Sequence, residues 1–293
     1  MRIGRYSHGD EAPWVGVRRE ESVVDLRSAG AAVGIDLPRS TRALLGEWRW
    51  QEKAGLAVDS ALETGVGRYD HDELDRHAPV GAPEKVVCVG LNYADHVEET
   101  DEDPPEEPVL FSKFPTSVVG PDDDIAWDPD LTDEVDFEAE LVAVVGDRAR
   151  EVSEDHAMDH VAGYTVGNDV SARDLQFDDG QWVRGKSLDT FAPTGPELVT
   201  SDEVADPEGL DIWTDVNGER LQDSSTEHLV FGVAELVAFC SRAFTLSPGD
   251  LVFTGTPPGV GAFRDPPIHL DDGDRVTVGV EGIGELTSDC RHR

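Results

Sequence analysis

The pattern of hydrophobic residues along the chain is that of a protein built mainly from strands. Short runs of β-branched and aromatic residues recur from end to end, with glycine, proline and aspartate between them. Such runs predict strands joined by turns. One run, residues 136–145, carries two glutamates in its first half and is wholly apolar from Leu141 to Val145. We interpret its second half as a buried strand.

Three carboxylates lie on this run or at the end of another apolar run. Glu138 and Glu140 are two residues apart, so on a strand they share one face. Asp169 ends another apolar run, 162–168. Adjacent carboxylates in apolar surroundings raise each other's pKa unless a cation lies between them. Three oxygen donors, with no His or Cys nearby in sequence, suit Mg²⁺ or Mn²⁺ better than Zn²⁺. The alternative is that Glu138 and Glu140 line the exposed face of an edge strand.

A histidine and a glutamate follow a second predicted buried strand, 86–90. If Asn92 opens a helix, His96 and Glu99 are three residues apart and share one face. A carboxylate that touches an imidazole raises its basicity and fixes its tautomer, as in a general base. The alternative is a surface histidine with an incidental glutamate. The acidic run 98–107, with two prolines, predicts a mobile loop that could close over a site.

Two of the chain's four lysines lie in segments with other features of a site. Lys113 ends the predicted strand 108–113, and an exposed position is less expected for it because this chain has largely replaced surface lysine by arginine. We expect Lys113 to contact a substrate. Lys186 lies in the turn-rich stretch 184–196, where it could neutralise a developing oxyanion. The alternative for Lys186 is an exposed loop residue.

The segment that follows Asp169 predicts the start of a helix. Ser171 is a candidate N-cap for it. Arg173 and Gln176 would then face either the site or solvent, and the sequence alone does not choose between the two.

The chain divides into a small N-terminal domain, residues 1–75, and a main domain, residues 76–293. The first has three short strand candidates and a helix that Ser40 is expected to cap, running through Leu44, Leu45 and Trp48. We expect it to serve packing. In the main domain, Asn217-Gly218 predicts a hairpin turn, and 229–244 predicts a core or interface helix. The glycine-rich loop 254–261 lacks both the P-loop lysine and a following helix, which argues against a nucleotide-dependent oxidoreductase.

Composition adds an unusual charge. Lys and Arg total 24 against 62 Asp and Glu, a formal net charge of −38. We interpret this as adaptation to molar salt, where the Debye length falls to about 3 Å and self-repulsion is screened. Recurring apolar strands argue against disorder as the explanation. Without a basic cluster, no nucleic-acid partner is expected.

The cysteines and the hydropathy bear on location. Cys88, Cys240 and Cys290 match no metal-ligand spacing, and they are expected to be thiols of a reducing compartment. Neither a signal peptide nor an 18-residue apolar run is evident. We therefore expect a cytoplasmic protein that does not enter a membrane.

Taken in order, these segments resemble the fumarylacetoacetate hydrolase superfamily, over roughly residues 80–290. No single motif decides the resemblance, but the ordered set is specific. The matching stretches are Val89 to His96, Pro108 to Pro115, Asp136 to Glu140, Asn168 to Gln176, Gly185 to Pro196, Val216 to Gly218 and Thr254 to Gly261.

The resemblance implies a mixed, β-rich α+β fold of the β-roll type, with the small leading α+β domain of longer members, and usually a homodimer. It implies a divalent metal, Mg²⁺ or Mn²⁺, held by three carboxylates, with a lysine beside it and an acid/base pair on a lid. The implied metal ligands are Glu138, Glu140 and Asp169; the implied catalytic residues are His96, Glu99 and Lys186; the implied pocket residues are Tyr93, Arg173, Gln176 and Thr256.

The expected substrate is a small 2-oxo acid, activated as an enolate whose charge the metal and Lys186 stabilise. The step that follows is open. It could be dehydration of a 2-keto-3-deoxy sugar acid such as a pentonate, acylpyruvate or fumarylacetoacetate-type C–C hydrolysis, oxaloacetate decarboxylation, or keto–enol isomerisation as of 2-hydroxyhepta-2,4-diene-1,7-dioate. We prefer the dehydratase, because salt-adapted microbes with oxidative sugar pathways need that step. A non-catalytic binding protein is the rival from another class.

Overall fold

A computed structural model gives the backbone of residues 1–99 and 105–293, with the side chains of 1–96 and 105–293. The fold is mixed and β-rich, as predicted. In chain order the strands are β1 Arg2–Ser7, β2 Trp14–Arg19, β3 Ser22–Asp25, β4 Arg68–Asp70, β5 Asp75–His77, β6 Val86–Gly90, β7 Val109–Lys113, β8 Val118–Val119, β9 Ile125–Trp127, β10 Val135–Asp136, β11 Ala139–Val145, β12 Val161–Asn168, β13 Ser171–Ala172, β14 Ala192–Thr200, β15 Asp211–Val216, β16 Glu219–Ser225, β17 Leu251–Phe253, β18 Arg275–Val280 and β19 Gly284–His292.

Among the described residues, the longest helix has 15 residues and the next has 11. The helices are α1 Leu26–Ala32, α2 Thr41–Leu45, α3 Trp50–Thr64, α4 Ala94–Glu99, α5 Glu154–Ala157, α6 Arg173–Asp178, α7 Val183–Lys186 and α8 Val233–Ala243. Single 3₁₀ turns lie at His71–Glu73, Pro115–Ser117, Met158–His160, Ser201–Glu203, Thr226–His228 and Gly261–Phe263. Within the described ranges, no helix is both long and apolar enough to cross a membrane.

Two sheets form the body of the molecule. In the part of the chain that the structure describes, the larger has 12 strands in the order β4-β3-β2-β1-β14-β12-β11-β17-β6-β7, with β5 on β1 and β8 on β14. The smaller has the order β16-β15-β18-β19-β9 and packs against β11, β12 and β14. The carboxylate-bearing strand is therefore an interior strand of the larger sheet, which corrects the alternative that it is an exposed edge.

Strand β11 is buried on both faces, which explains its uninterrupted apolar sequence. Leu141 and Ala143 pack into the core between the two sheets. Val142 and Val144 point the other way, into a second core with residues of α3 such as Ala57 and Val58. Because both faces of β11 are buried away from water, any charged side chain at the end of this strand lies in a low-dielectric environment.

The N-terminal region continues the larger sheet. Strand β1 pairs with β14 in antiparallel register, Arg2 with Val199 and Ile3 with Leu198. Residues of this region also share the second core with β11 and β17. The domain boundary near residue 75 stays a prediction, and a main-chain hydrogen-bond ladder crosses it.

The predicted helix cap at Ser40 and the predicted turn at Asn217-Gly218 are both present, but the capped helix ends earlier than expected. The Ser40 hydroxyl accepts from the Ala43 amide at 3.3 Å, so Ser40 caps α2 as expected. That helix stops at Leu45, however, and Trp48 lies beyond it with 77% of its surface exposed, so the predicted continuation was wrong. The Asn217-Gly218 turn has both φ angles positive, 53° and 83°, and joins β15 to β16.

Candidate active site

Strand pairing brings together three carboxylates that are distant in sequence. The antiparallel register of β11 and β12 sets Ala139 opposite Asn168. One residue beyond that pair, the Asp169 amide donates to the Glu138 carbonyl at 2.9 Å. Glu138, Glu140 and Asp169 are all buried, and their candidate ligand oxygens lie within 4.8 Å of one another. The predicted convergence of these residues is confirmed.

The chemistry of this carboxylate cluster fits a hard divalent cation. Burial, with the charges of Asp169 and Glu138, holds the pKa of Glu140 well above its usual range. The Oδ1 atom of Asp169 is buried, and the described group that contacts it is the Lys113 ammonium. All three ligand candidates are oxygen donors, as Mg²⁺ and Mn²⁺ prefer. A cation among them would remove the repulsion that raises the Glu140 pKa.

The Lys186 ammonium bridges two members of the cluster. It donates to Glu138 Oε2 at 2.8 Å and to Asp169 Oδ2 at 3.1 Å, and it lies over the Phe111 ring. Burial lowers the pKa of Lys186, but Asp169 and Glu138 outweigh burial and raise that pKa overall. Lys186 is therefore a protonated cation 2% exposed, at the wall of a cavity.

Lys113 lies behind the cluster. Its ammonium donates to the carbonyls of Val170, Lys186 and Phe191 at 2.9, 2.5 and 2.8 Å. These three bonds use its three protons. It also contacts Asp169 Oδ1 at 2.5 Å as an ion pair. Lys113 is absent from the lining of the cavity beside Lys186, so the structure gives no support to its expected substrate contact.

Arg173 faces the site, which settles the choice that the sequence left open. Its Nε and Nη2 atoms each lie 2.8 Å from Asp136 Oδ2, and Nη2 lies 2.8 Å from Glu138 Oε1. Burial lowers its pKa, but Asp136 and Glu138 outweigh burial and raise that pKa. Its Nη1 donates to Gln176 Oε1 at 3.0 Å. Ser171 does not cap α6 and donates instead to the Asp169 carbonyl at 2.9 Å, so that prediction was wrong.

Asp136 connects Arg173 to the glycine-rich loop. Its carboxylate accepts from the amides of Gly261 and Ala262 at 2.7 and 3.0 Å. Upstream in the same loop, the Gly255 amide donates to Glu140 Oε2 at 2.7 Å. Gly255 has a φ of +108°, which only glycine adopts without strain. The resemblance implied a pocket role for Thr256 of this loop, and the structure also places the loop backbone at Gly255 against the carboxylate cluster.

A small cavity of about 200 Å³ opens beside the cluster. Its polar walls are His96, Glu138, Arg173, Gln176, Lys186 and Thr256, and its apolar walls include Val89, Phe111, Phe177, Trp182 and Phe263. Most of the residues predicted to form the site therefore meet at one cavity. The lysine, arginine and amide groups offer hydrogen-bond donors, so the cavity suits a small anion.

The helix that carries His96 begins later than expected. Asn92 does not cap it; its side chain bonds instead to the carbonyls of Phe231 and Thr254 at 3.0 and 2.7 Å. The helix starts at Ala94. His96 is 7% exposed, with its ring 5.9 Å from that of Phe263. The side chain of Glu99 lies outside those described, as do residues 100–104 of the predicted lid, so the acid/base pair stays a prediction.

Tyr93 is fully buried and does not line the cavity. Burial, then the negative charge of Glu140, raises the pKa of its phenol well above the usual range. Its hydroxyl has no hydrogen-bond partner among the described residues. The structure therefore places Tyr93 against the cluster, and its expected role in binding substrate stays a prediction.

Buried carboxylates and a buried lysine with shifted pKa values, gathered at the wall of a small cavity, are typical of an enzyme's active site. The family model for the fumarylacetoacetate (FAA) hydrolase C-terminal region matches residues 85–291. The chain belongs to the fumarylacetoacetate hydrolase family, as the resemblance of its motifs predicted.

Known relatives extend over nearly the whole chain. Oxaloacetate tautomerase fahd2, mitochondrial, of Xenopus laevis is 41% identical over 293 residues, covering 98% of this chain and 89% of that protein. The structure of a fumarylacetoacetate hydrolase from psychrophilic Exiguobacterium antarcticum has a TM-score of 0.86 at 37% identity and covers both chains completely. Maleylpyruvate hydrolase from Sphingobium sp. SYK-6, solved with manganese(II) and pyruvate, has a TM-score of 0.79 at 28% identity, covering 100% of this chain and 99% of that one.

The names of these relatives change which reaction we prefer for this protein. One relative is named an oxaloacetate tautomerase and two are named hydrolases. They give no support to the dehydration of a 2-keto-3-deoxy sugar acid, which the sequence analysis preferred, and they favour the alternatives stated beside it. The manganese(II) complex agrees with a family site for a divalent cation.

Proposed function

We propose that this protein is a divalent-cation-dependent enzyme that interconverts the keto and enol forms of a short 2-oxo dicarboxylic acid, with oxaloacetate as the first substrate to test. The observation that carries the proposal is the Lys186 ammonium, which bridges Glu138 and Asp169 at the cavity wall. The Xenopus laevis relative's name supports oxaloacetate over a sugar acid.

Substrate binding follows from the donors around the cavity. The Oε1 atom of Gln176 accepts from Arg173, so its amide nitrogen still has protons to donate. Lys186 adds a charged donor, and charge-assisted bonds to carboxylates are the stronger kind. A 2-oxo acid presents acceptor oxygens at both its carboxylate and its keto group. The cavity therefore binds and orients this class of molecule.

Glu138, Glu140 and Asp169 are the residues that would hold the cation, which we propose to be Mg²⁺ or Mn²⁺. When bound, it would supply Lewis-acid stabilisation of negative charge on the substrate's oxygens. Lys186 adds a proton donor for the oxygen that becomes negative when the 2-oxo acid loses a proton from C3. Because Lys186 is buried and held in place by two carboxylates, little reorganisation is needed for it to donate to that oxygen.

The proton on C3 needs a carrier, and we assign this role to His96. It is the histidine that lines the described cavity, and its ring packs near Phe263 at the cavity wall. In the keto-to-enol direction, His96 takes the C3 proton and Lys186 gives a proton to the keto oxygen. Proton exchange with solvent then returns both side chains to their starting protonation states. In the reverse direction His96 returns the proton to C3. A proposed partnership with Glu99 would fix the tautomer of His96.

The test is a direct assay of tautomerisation. Freshly dissolved enol oxaloacetate is mixed with the protein in high salt with Mg²⁺ or Mn²⁺, and the loss of enol absorbance is followed. We expect acceleration that disappears on chelation and returns when the cation is restored. Acylpyruvates and 2-keto-3-deoxypentonates run in parallel. Cleavage of acylpyruvates with no effect on the oxaloacetate enol would replace the tautomerase proposal by a hydrolase.

Three further proposals concern the protein's setting. The formal charge of −38 supports function in molar salt. The buried, unpaired thiols of Cys88, Cys240 and Cys290 support a reducing compartment, for which we propose the cytoplasm, although the Xenopus laevis relative is named mitochondrial. We also propose a homodimer, which light scattering in high salt would test.

A further inference from the structure

Gln222 is a buried residue of β16 that touches the cavity only through another side chain. It is 0% exposed and belongs to the smaller sheet. Its Oε1 accepts from the Ala139 amide at 2.9 Å and from the Thr214 hydroxyl at 2.6 Å. Its Nε2 donates to Thr256 Oγ1 at 2.9 Å and to the Pro257 carbonyl at 2.8 Å. The oxygen and both N–H groups of the Gln222 amide therefore have hydrogen-bond partners.

The orientation of this amide is dictated by its partners. A backbone N–H only donates, so the atom facing Ala139 must be the oxygen. A backbone carbonyl only accepts, so the atom facing Pro257 must be the nitrogen. The bond between Gln222 and Thr256 thus has a fixed direction, with the threonine oxygen as acceptor.

This direction determines what the Thr256 hydroxyl does in the cavity. Because its oxygen receives a proton from Gln222, its own proton must find another acceptor. Within the described part of the chain, the hydroxyl makes no second hydrogen bond. Thr256 lines the cavity and is 6% exposed, so its acceptor is a molecule in the cavity, either water or a bound ligand that displaces it.

We propose that Gln222 is a positioning residue that fixes the Thr256 hydroxyl as a hydrogen-bond donor to an acceptor oxygen of the substrate. The identity of that substrate as a 2-oxo acid rests on the proposed function. Gln176 provides a parallel, because Arg173 donates to its oxygen and leaves its amide nitrogen as a donor. The cavity therefore presents two side-chain donors, each oriented by a hydrogen bond from a neighbouring residue.

A purely structural role for Gln222 is the competing explanation, because Ala139 lies between the ligand candidates Glu138 and Glu140. Two isosteric substitutions separate the roles. In Gln222→Glu, the new side chain has at most one proton, and the Pro257 carbonyl competes for it. The Thr256 hydroxyl then donates to the glutamate and not to the substrate. Thr214→Val removes a bond to the same amide and leaves Thr256 untouched.

The experiment measures binding of oxalate, whose oxygens are acceptors only, to the Mg²⁺-loaded protein by titration calorimetry. We expect Thr256→Val and Gln222→Glu each to weaken oxalate binding by about tenfold to a hundredfold, as for a lost bond to a charged acceptor. The double variant should bind no more weakly than either single variant. Thr256→Ser and Thr214→Val should bind as the wild type does.

Several results would overturn the inference: no oxalate binding by the wild type, additive losses in the double variant, or an equal loss in Thr214→Val. If Gln222→Glu does not fold, the comparison of Thr256→Val with Thr256→Ser still tests the inference. Equal oxalate affinity in these two variants would overturn it. Because oxalate is not turned over, these outcomes are independent of the tautomerase assay. In that assay, the two weakened variants should show a raised KM with kcat nearly unchanged.

Discussion

Two buried lysines lie on opposite sides of Asp169, and their surroundings differ. Lys186 bonds to two carboxylates and lines the cavity. Lys113 gives its protons to three backbone carbonyls and contacts Asp169 from behind. The first is placed to act on a bound molecule. The second is placed to hold Asp169 and the backbone of three segments together.

Lys186→Met should abolish most turnover while the protein still folds. Removing one preorganised charge donor of this kind typically costs about 10²–10³ in kcat. The loss is measured as the rate of enol oxaloacetate decay at saturating substrate and cation. Lys53→Met, the same change at a lysine paired with Glu47 on the surface, should retain wild-type turnover. A Lys186→Met enzyme within a few-fold of wild type would contradict the role given to Lys186.

Lys113→Met should act on stability instead. It leaves three buried carbonyls without a donor and Asp169 without one of its cations. Breaking a buried ion pair from one side typically costs about 3–5 kcal/mol. Chemical denaturation in high salt, with and without Mg²⁺, measures the loss. If Lys113→Met unfolds at the wild-type denaturant concentration but loses substrate affinity, Lys113 contacts the substrate after all, as the sequence analysis expected.

At the scale of elements, helix α3 shows how the acidity of the chain opposes local stability. Asp59 and Glu63 are exposed, like-charged and four residues apart on this helix, an arrangement that destabilises helices. Glu63 also lies in the last turn, where a negative charge opposes the helix dipole and where this helix has no basic residue.

Glu63→Lys should therefore stabilise the protein at low salt by about 0.5–1 kcal/mol, combining the reversed pair and the favourable dipole term. Glu63→Gln, which removes the charge without reversing it, should give roughly half that gain. Thermal unfolding at low and at molar KCl measures both. The gain should shrink in molar salt because these charges are screened. A gain of the same size in both salts would rule out electrostatics as its cause.

At the scale of the whole molecule, the charge of −38 is the dominant fact. The site and the backbone behind it gather three buried cations, Lys113, Arg173 and Lys186, against four buried carboxylates, Asp136, Glu138, Glu140 and Asp169. The surface has no comparable compensation, since 24 basic residues face 62 acidic ones over the chain. Repulsion among surface carboxylates is long-ranged in dilute buffer and short-ranged in molar salt.

The unfolding temperature should accordingly rise by several degrees or more between ~0.1 M and molar KCl, where the Debye length falls from about 10 Å to about 3 Å. For a domain of this size, each kcal/mol corresponds to roughly 2–4 °C. Sucrose at matched osmolality serves as a control for general exclusion effects. An unfolding temperature that falls or stays level with KCl would refute salt adaptation.

Much of the candidate site was predictable, because the residue types and their spacing along the chain indicate their chemistry without knowledge of the fold. Two glutamates at strand spacing and an aspartate at the end of an apolar run predicted a cation site before any fold was known. The positions of helix ends were less predictable. Asn92 and Ser171 have the side chains of N-caps, yet both form hydrogen bonds with distant segments or with the loop backbone instead. Local capping preferences lose to tertiary partners when the group is buried.

The sequence by itself determined the strand-rich fold, the acidic composition and the candidate oxygen ligands, because periodicity and side-chain chemistry are local properties. Only the tertiary structure decided which groups meet. The register of β11 and β12 placed Asp169 beside Glu138, and the packing of the smaller sheet placed Gln222 behind Thr256. Such contacts depend on how strands align across the sheets, and no local pattern encodes that alignment.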